Sequence, residues 1–139
     1  MFEQTIHVIA PPEKIWTAWE DIANWATWSP TMSLSEQLDD APFGIGKQAR
    51  LDVRGGGAGV WTITEFELGR RFAWESYSRG VHSLADHIVA PSPGGGSDVT
   101  LKFSASGLMA KLLGFYIGRV ARENLRDEAA GLKAYCERA

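Results

Sequence analysis

His87 and Glu65 are the residues of this 139-residue chain whose types and placement fit proton transfer. His87 alternates with Val89, so on an inward-facing strand its imidazole enters apolar surroundings, where burial lowers its pKa and it can act as acid or base near neutrality. Glu65 follows Trp61 and Ile63 at strand spacing and can face His87 from an opposite wall. Such a pair could take a proton from a carbon next to a carbonyl. The competing readings are a histidine hydrogen-bonded within the core and a solvated glutamate at a strand end. Asp86 adjoins His87 but points to the other face, so those two make no dyad.

Other chemistries lack their residues. His82 and His87 are five apart on a strand and face opposite ways, while His7 and Cys136 sit at the two ends of the chain, so no metal-ligand spacing exists. The runs Gly55-Gly56-Gly57 and Gly94-Gly95-Gly96 lack a following Lys-Ser/Thr and read as hairpin tips, not phosphate loops. No serine has a Gly-x-Ser-x-Gly setting. Nothing calls for a cofactor. With 14 basic and 17 acidic residues the net charge is −3, without the basic face that nucleic acid binding needs. One cysteine excludes an internal disulfide and fits a reducing compartment; with no signal-peptide pattern at the start, a cytoplasmic location is expected. The most apolar stretch, Gly107 to Gly118, is shorter than the roughly 20 residues a bilayer requires and contains Lys111, so no stable membrane insertion is expected.

The elements that must position these residues follow from periodicity. Phe2 to Ile9 alternates as a strand and stops at Pro11-Pro12. Pro12 suits the first turn of a helix to Glu20, with Ile15, Trp16, Trp19 and Ile22 at helical spacing. Asp21 is the expected cap of a second short helix, ended by Ser29-Pro30. Strands are predicted at Met32 to Leu38, Lys47 to Val53, Val60 to Phe66, Phe72 to Ser78, Val81 to Ala90 and Asp98 to Ala105, punctuated by glycine and proline. Val60 to Phe66 is bulky on both faces, and a bulge would reconcile them with Trp61 and Ile63 pointing inward. Leu108 to Glu137, free of proline, reads as one helix of about 45 Å whose stripe Leu113, Ile117, Ala121, Leu125 and Leu132 needs the apolar sheet face as partner. Gly114 and Gly118 lie on its first half, where missing side chains either let a strand approach or leave empty volume. The class is α+β: a seven-stranded antiparallel sheet curved around a long C-terminal helix, with two short helices after the first strand, in a single domain over residues 1–139. Four of the six tryptophans fall between Trp16 and Trp28, which makes either an aromatic core or a pocket wall.

This order of elements, with Ala10-Pro11-Pro12-Glu13-Lys14-Ile15-Trp16, Trp28-Ser29-Pro30, Gly44-Ile45-Gly46, Val60 to Phe66, Arg71-Phe72-Ala73-Trp74, and His87 ahead of Gly94-Gly95-Gly96, resembles the helix-grip fold of the START-like (SRPBCC) superfamily. Within it the chain is most similar to the polyketide cyclase/dehydrase and lipid-transport group of small bacterial proteins. The resemblance implies an apolar cavity between sheet and long helix. Its expected lining is Trp61, Ile63, Phe72, Trp74, His87, Leu101 and Phe103 from the sheet and Leu112 and Phe115 from the helix. Trp28 is expected at the ligand entrance, and Arg119 or Arg122 is a candidate for holding a carboxylate at the mouth. The function so implied is binding or transport of a small hydrophobic molecule (lipid, polyketide or aromatic) by a monomer or homodimer. The alternative is a polyketide cyclase/dehydratase-type enzyme using His87 and Glu65 in the same cavity.

Overall fold

The computed structural model describes residues 1–40 and 42–138; positions 41 and 139 of the expected 1–139 domain lie outside the described residues. Strand β1 (Phe2–Val8) leads into α1 (Pro12–Glu20), a 3-10 turn (Ile22–Asn24) and α2 (Trp25–Trp28). Six strands follow: β2 (Met32–Gln37), β3 (Gln48–Val53), β4 (Gly57–Glu67), β5 (Arg71–Ser78), β6 (Val81–Pro91) and β7 (Ser97–Ser106). The chain ends in α3 (Leu108–Leu112) and α4 (Gly114–Cys136). All seven strands form one antiparallel sheet in the order β1-β7-β6-β5-β4-β3-β2, so β2 to β7 form a meander and β1 closes the β7 edge.

Three elements differ from the periodicity reading. The second helix starts four residues after Asp21, whose side chain makes no capping bond; the 3-10 turn intervenes. β4 begins at Gly57, because the glycine turn before it uses fewer residues than expected. The single long helix is broken at Leu113, whose φ of −108° and ψ of 19° leave helical space. That break shifts the helical phase, so α3 and α4 present separate faces.

The buried residues gather where α1 and α2 cover the sheet. Phe72 is the hub, with ring centroids at 4.9 Å from Phe43, 5.3 Å from Trp74, 5.7 Å from Trp19 and 6.2 Å from Trp16, mostly edge-to-face, the arrangement that aromatic quadrupoles favour. The bulge expected in β4 is present, as the register with β5 slips between Ile63 and Glu65. It lets Ile63 and Phe66 both reach the core.

Helix α4 docks chiefly on β1 and β7, and its C-terminal half also meets α1 and α2. Of the two expected glycine positions, Gly114 is in open space, whereas a methyl group on Gly118 would sit 3.1 Å from the Phe2 ring of β1. The closest approach is at Gly131. A Cβ there would collide with the carbonyl oxygen of Trp28 and lie 3.1 Å from Pro30 Cδ. Glycine in a helix interior ordinarily costs about 0.5–1 kcal/mol relative to alanine. Here the sign reverses, because a backbone carbonyl cannot yield as a flexible side chain would. Gly131→Ala should destabilise the protein by about 1–3 kcal/mol and lower its thermal midpoint by several degrees in calorimetry. An unchanged or raised midpoint would show that α4 does not dock on α2 this closely.

Candidate functional site

The docking of α4 toward the β1–β7 edge leaves β3 to β6 without close cover from that helix beyond the part that α1 and α2 fill. The inward positions there are small, with Gly59 on β4, Ser76 on β5, and Ser83 and Ala85 on β6. A cavity of about 530 Å³ results, within the range of small-molecule sites. Leu51, Trp61, Trp74 and Phe103 form its sheet wall, Trp25 its α2 wall, and Tyr116, Ile117, Val120, Leu125 and Glu128 its α4 wall. It opens beside Gly55, Gly56, Arg79 and Tyr116, all solvent-exposed. Along one flank Arg54, from the β3–β4 turn, clamps α4: Nε donates to Asn124 Oδ1 at 3.0 Å and Nη2 to Asp127 Oδ2 at 2.8 Å, while Asn124 Nδ2 donates to the Arg54 carbonyl at 2.9 Å. Arg54 holds the Asp127 carboxyl below its ordinary pKa.

His87 closes the inner end. Its ring stacks on Phe72 at 4.2 Å and 5°, and Trp19, Trp25 and Trp74 surround it at 5.6–5.7 Å, so the imidazole has one orientation. Its side chain is 4% exposed and its Nδ1 has no hydrogen-bond partner. Burial drives its pKa down to about 4, with Asp86 opposing that shift only in part. Facing it from α4 is Glu128, 15% exposed, with Oε2 at 3.8 Å from His87 Nε2. Burial raises this carboxyl to about 7. At neutral pH the imidazole is therefore uncharged and the carboxyl is substantially protonated.

The expected site residues divide sharply. Trp61, Trp74, His87 and Phe103 lie on the cavity. Ile63, Phe72 and Leu101 are buried in the adjoining core and support the wall from behind. Trp28 is not at the entrance: it is buried between α2 and α4, stacked on Tyr135 at 6.1 Å, and Trp25 takes the cavity position. Leu112 and Phe115 are 69% and 87% exposed. The break at Leu113 separates Leu112 from the α4 stripe, and Phe115 lies about 200° around the helix from Ile117 at 100° per residue. Arg119 points to solvent beside Glu123, at 3.6 Å.

Glu65 is also displaced. The bulge that buries both Ile63 and Phe66 turns Glu65 to the outer face, opposite Ala73, where it is 53% exposed and bound by Arg71 Nη1 at 3.0 Å. Arg71 holds Asp86 on the same face through Nε and Nη2, both at 2.9 Å. The acid facing His87 is Glu128, which the sequence reading missed. The signal was present: Glu128 is three residues after Leu125 and four before Leu132, on the apolar stripe itself, where a carboxylate has no structural reason to be. Among the described residues no three of His, Cys, Asp and Glu gather in a metal-binding group, and no helix is long and apolar enough to cross a membrane.

A seven-stranded sheet gripping a long C-terminal helix over an apolar cavity defines a START-like helix-grip protein. The chain belongs to the polyketide cyclase / dehydrase and lipid transport family, whose model matches residues 1–137. Solved structures share the fold at low identity. A START superfamily protein from Mycobacterium smegmatis is 18% identical, with 98% of this chain and 96% of that chain covered and a TM-score of 0.80. A hypothetical protein from Helicobacter pylori is 17% identical over 98% of this chain and 86% of that one, with a TM-score of 0.81. The di-domain ARO/CYC BexL from the BE-7585A biosynthetic pathway is 17% identical, with 99% of this chain and 50% of that chain covered and a TM-score of 0.80. Curated proteins gave no significant match.

The two inner groups affect stability in opposite directions with pH. Glu128 binds its proton more tightly folded than unfolded, so its contribution is fully present below its ordinary pKa near 4.5 and is lost as pH rises through about 7. His87 binds its proton less tightly when folded, so its contribution is lost as pH falls from about 6.5 toward 4. Removing one group exposes the other. Glu128→Gln should gain stability relative to wild type between pH 4.5 and 8, by about 3 kcal/mol in all. Denaturant titrations of both proteins across that range test this, and a constant difference would place Glu128 in solvent.

Proposed function

We propose that this chain, as a single domain acting in the cytoplasm, binds and carries a small hydrophobic molecule in the cavity between its sheet and α4. The observation that supports this reading is the cavity itself: about 530 Å³ walled by Trp25, Leu51, Trp61, Trp74, Phe103 and Ile117, beside a core packed tightly with aromatics. A sequence able to fill the neighbouring space with Phe43, Phe66, Trp16 and Trp19 places the small residues Gly59, Ser76, Ser83 and Ala85 at inward positions here. Burial of apolar ligand surface at roughly 25 cal/mol per Å² supplies the affinity.

A cyclase- or dehydratase-type reaction is the second reading, favoured by Glu128 facing His87. In it, neutral His87 would take a proton from carbon beside a ligand carbonyl while the Glu128 carboxyl gives one to the carbonyl oxygen, yielding the enol with no net change in protonation. An imidazole held at about 4 is a weak base for that step, which ranks binding ahead of chemistry.

Native mass spectrometry of the protein purified from its own host is expected to show an adduct of a few hundred daltons that organic solvent extracts. Ala85→Phe, which fills the cavity from β6, is expected to abolish that adduct and to weaken binding of the neutral dye Nile red at least tenfold while the protein stays folded. Undiminished dye binding by this variant would move the ligand site elsewhere.

A further inference from the structure

We infer that the His87–Glu128 end of the cavity is a subsite for an uncharged oxygen head, a hydroxyl, phenol or ketone, on an otherwise apolar ligand, and that it rejects carboxylate and phosphate heads. This inference rests on the cavity being a ligand site.

Three observations carry it. First, His87 Nε2 and Glu128 Oε2 are 3.8 Å apart, beyond a direct hydrogen bond, and the buried His87 Nδ1 has no partner among the described residues. A single oxygen between them can lie about 2.8 Å from both. Buried polar groups in folded proteins are paired in the great majority of cases, and both of these border a volume that a ligand can enter. Second, the pair is built rather than incidental. Phe72 and three indoles fix the imidazole plane, and Glu128 interrupts the apolar stripe of α4 at the one turn that meets His87. Third, the cations of the described lining are held away from this end. Arg54 is engaged by Asn124 and Asp127, Lys102 turns its ammonium toward Glu3 at 3.9 Å, and Arg79 lies at the exposed β5–β6 turn beside Gly57. An anionic head would therefore lose its hydration beside an acid with no compensating positive charge.

The chemistry of the pair matches a neutral head. Imidazole in its uncharged form offers one donor and one acceptor, and a protonated carboxyl offers a donor and acceptors. A hydroxyl can use both kinds; a ketone can accept from either. The apolar remainder then lies along Trp61, Trp74 and Phe103 toward Tyr116.

Three probes sharing one ring system separate the possibilities: 2-naphthol, 2-methylnaphthalene and 2-naphthoate, titrated by tryptophan fluorescence and calorimetry at neutral pH. The subsite predicts that 2-naphthol binds about tenfold more tightly than 2-methylnaphthalene, the reverse of their order of apolarity, and that 2-naphthoate binds weakest. Glu128→Leu should remove that preference by weakening 2-naphthol about tenfold while 2-methylnaphthalene holds or improves. Glu128→Gln, which keeps a donor, should retain most of the preference. Equal or tighter binding of 2-methylnaphthalene by the wild type overturns the subsite and leaves the cavity reading standing. So does a preference that survives Glu128→Leu. If no probe binds, the cavity reading falls and takes the subsite with it. The wild-type order alone decides the question should Glu128→Leu not fold.

Discussion

The stacking of Phe72 on His87 is the contact on which the interior is organised. Phe72 gathers the rings of α1, α2 and the Phe43 loop against the middle of the sheet, which fills one end of the domain with aromatic side chains. On its other side it holds an imidazole, and beyond that imidazole the packing stops. The same strand thus supplies both the plug and the back wall of the cavity: Phe72 at its start, then Trp74, then Ser76, each two residues further from the aromatic mass and exposing more open space. Separation of large from small side chains along β5 and β6, more than any single residue, is what makes a container of a sheet that would otherwise collapse onto its helix.

Charge is partitioned across the sheet by the same alternation. Arg71 ties Glu65 and Asp86 on the outer surface, and His82 meets Glu75 there at 2.7 Å, with the Tyr77 ring stacked at 4.2 Å. Asp86 is felt through the sheet, raising the His87 pKa against the larger effect of burial. Inside, the two ionisable groups are driven toward their neutral forms by desolvation, which is the larger influence on both. The inner end is consequently polar without being charged, an arrangement that costs less to bury than an ion pair.

Much of this was legible in the sequence, and the failures have specific causes. Alternation correctly placed Trp61, Trp74 and Phe103 on the concave face and His82 opposite His87, because a strand period of two leaves few choices once several apolar residues agree. The bulge in β4 was also legible from Val60 to Phe66 being bulky on both faces. Its effect on Glu65 was not, because a single extra residue inverts every position beyond it. Phe115 and Leu112 were misplaced for the helical version of the same reason. The break at Leu113 changes the phase, and composition alone carries no mark of it. Glu128 was passed over because a charged residue on a long helix is usually solvated, although its register with Leu125 and Leu132 argued otherwise. Trp28 failed differently: Ser29-Pro30 fixed the end of its helix, but which surface covers it depends on where Gly131 lets α4 approach, and that is a tertiary contact.

The interruption of the terminal helix at Leu113 has a consequence for motion. None of the residues of α3 is buried, and the hydrogen-bond ladder of α4 restarts from the Leu113 carbonyl, which accepts from Ile117 N–H at 2.9 Å. Leu108–Leu112 can therefore unwind without disturbing the turns that pack against β1. Such a segment is its own small cooperative unit, opening at a free-energy cost far below that of global unfolding. Leu108–Leu112 and the helix that follows thus belong to one chain segment but to different levels of the protein's stability.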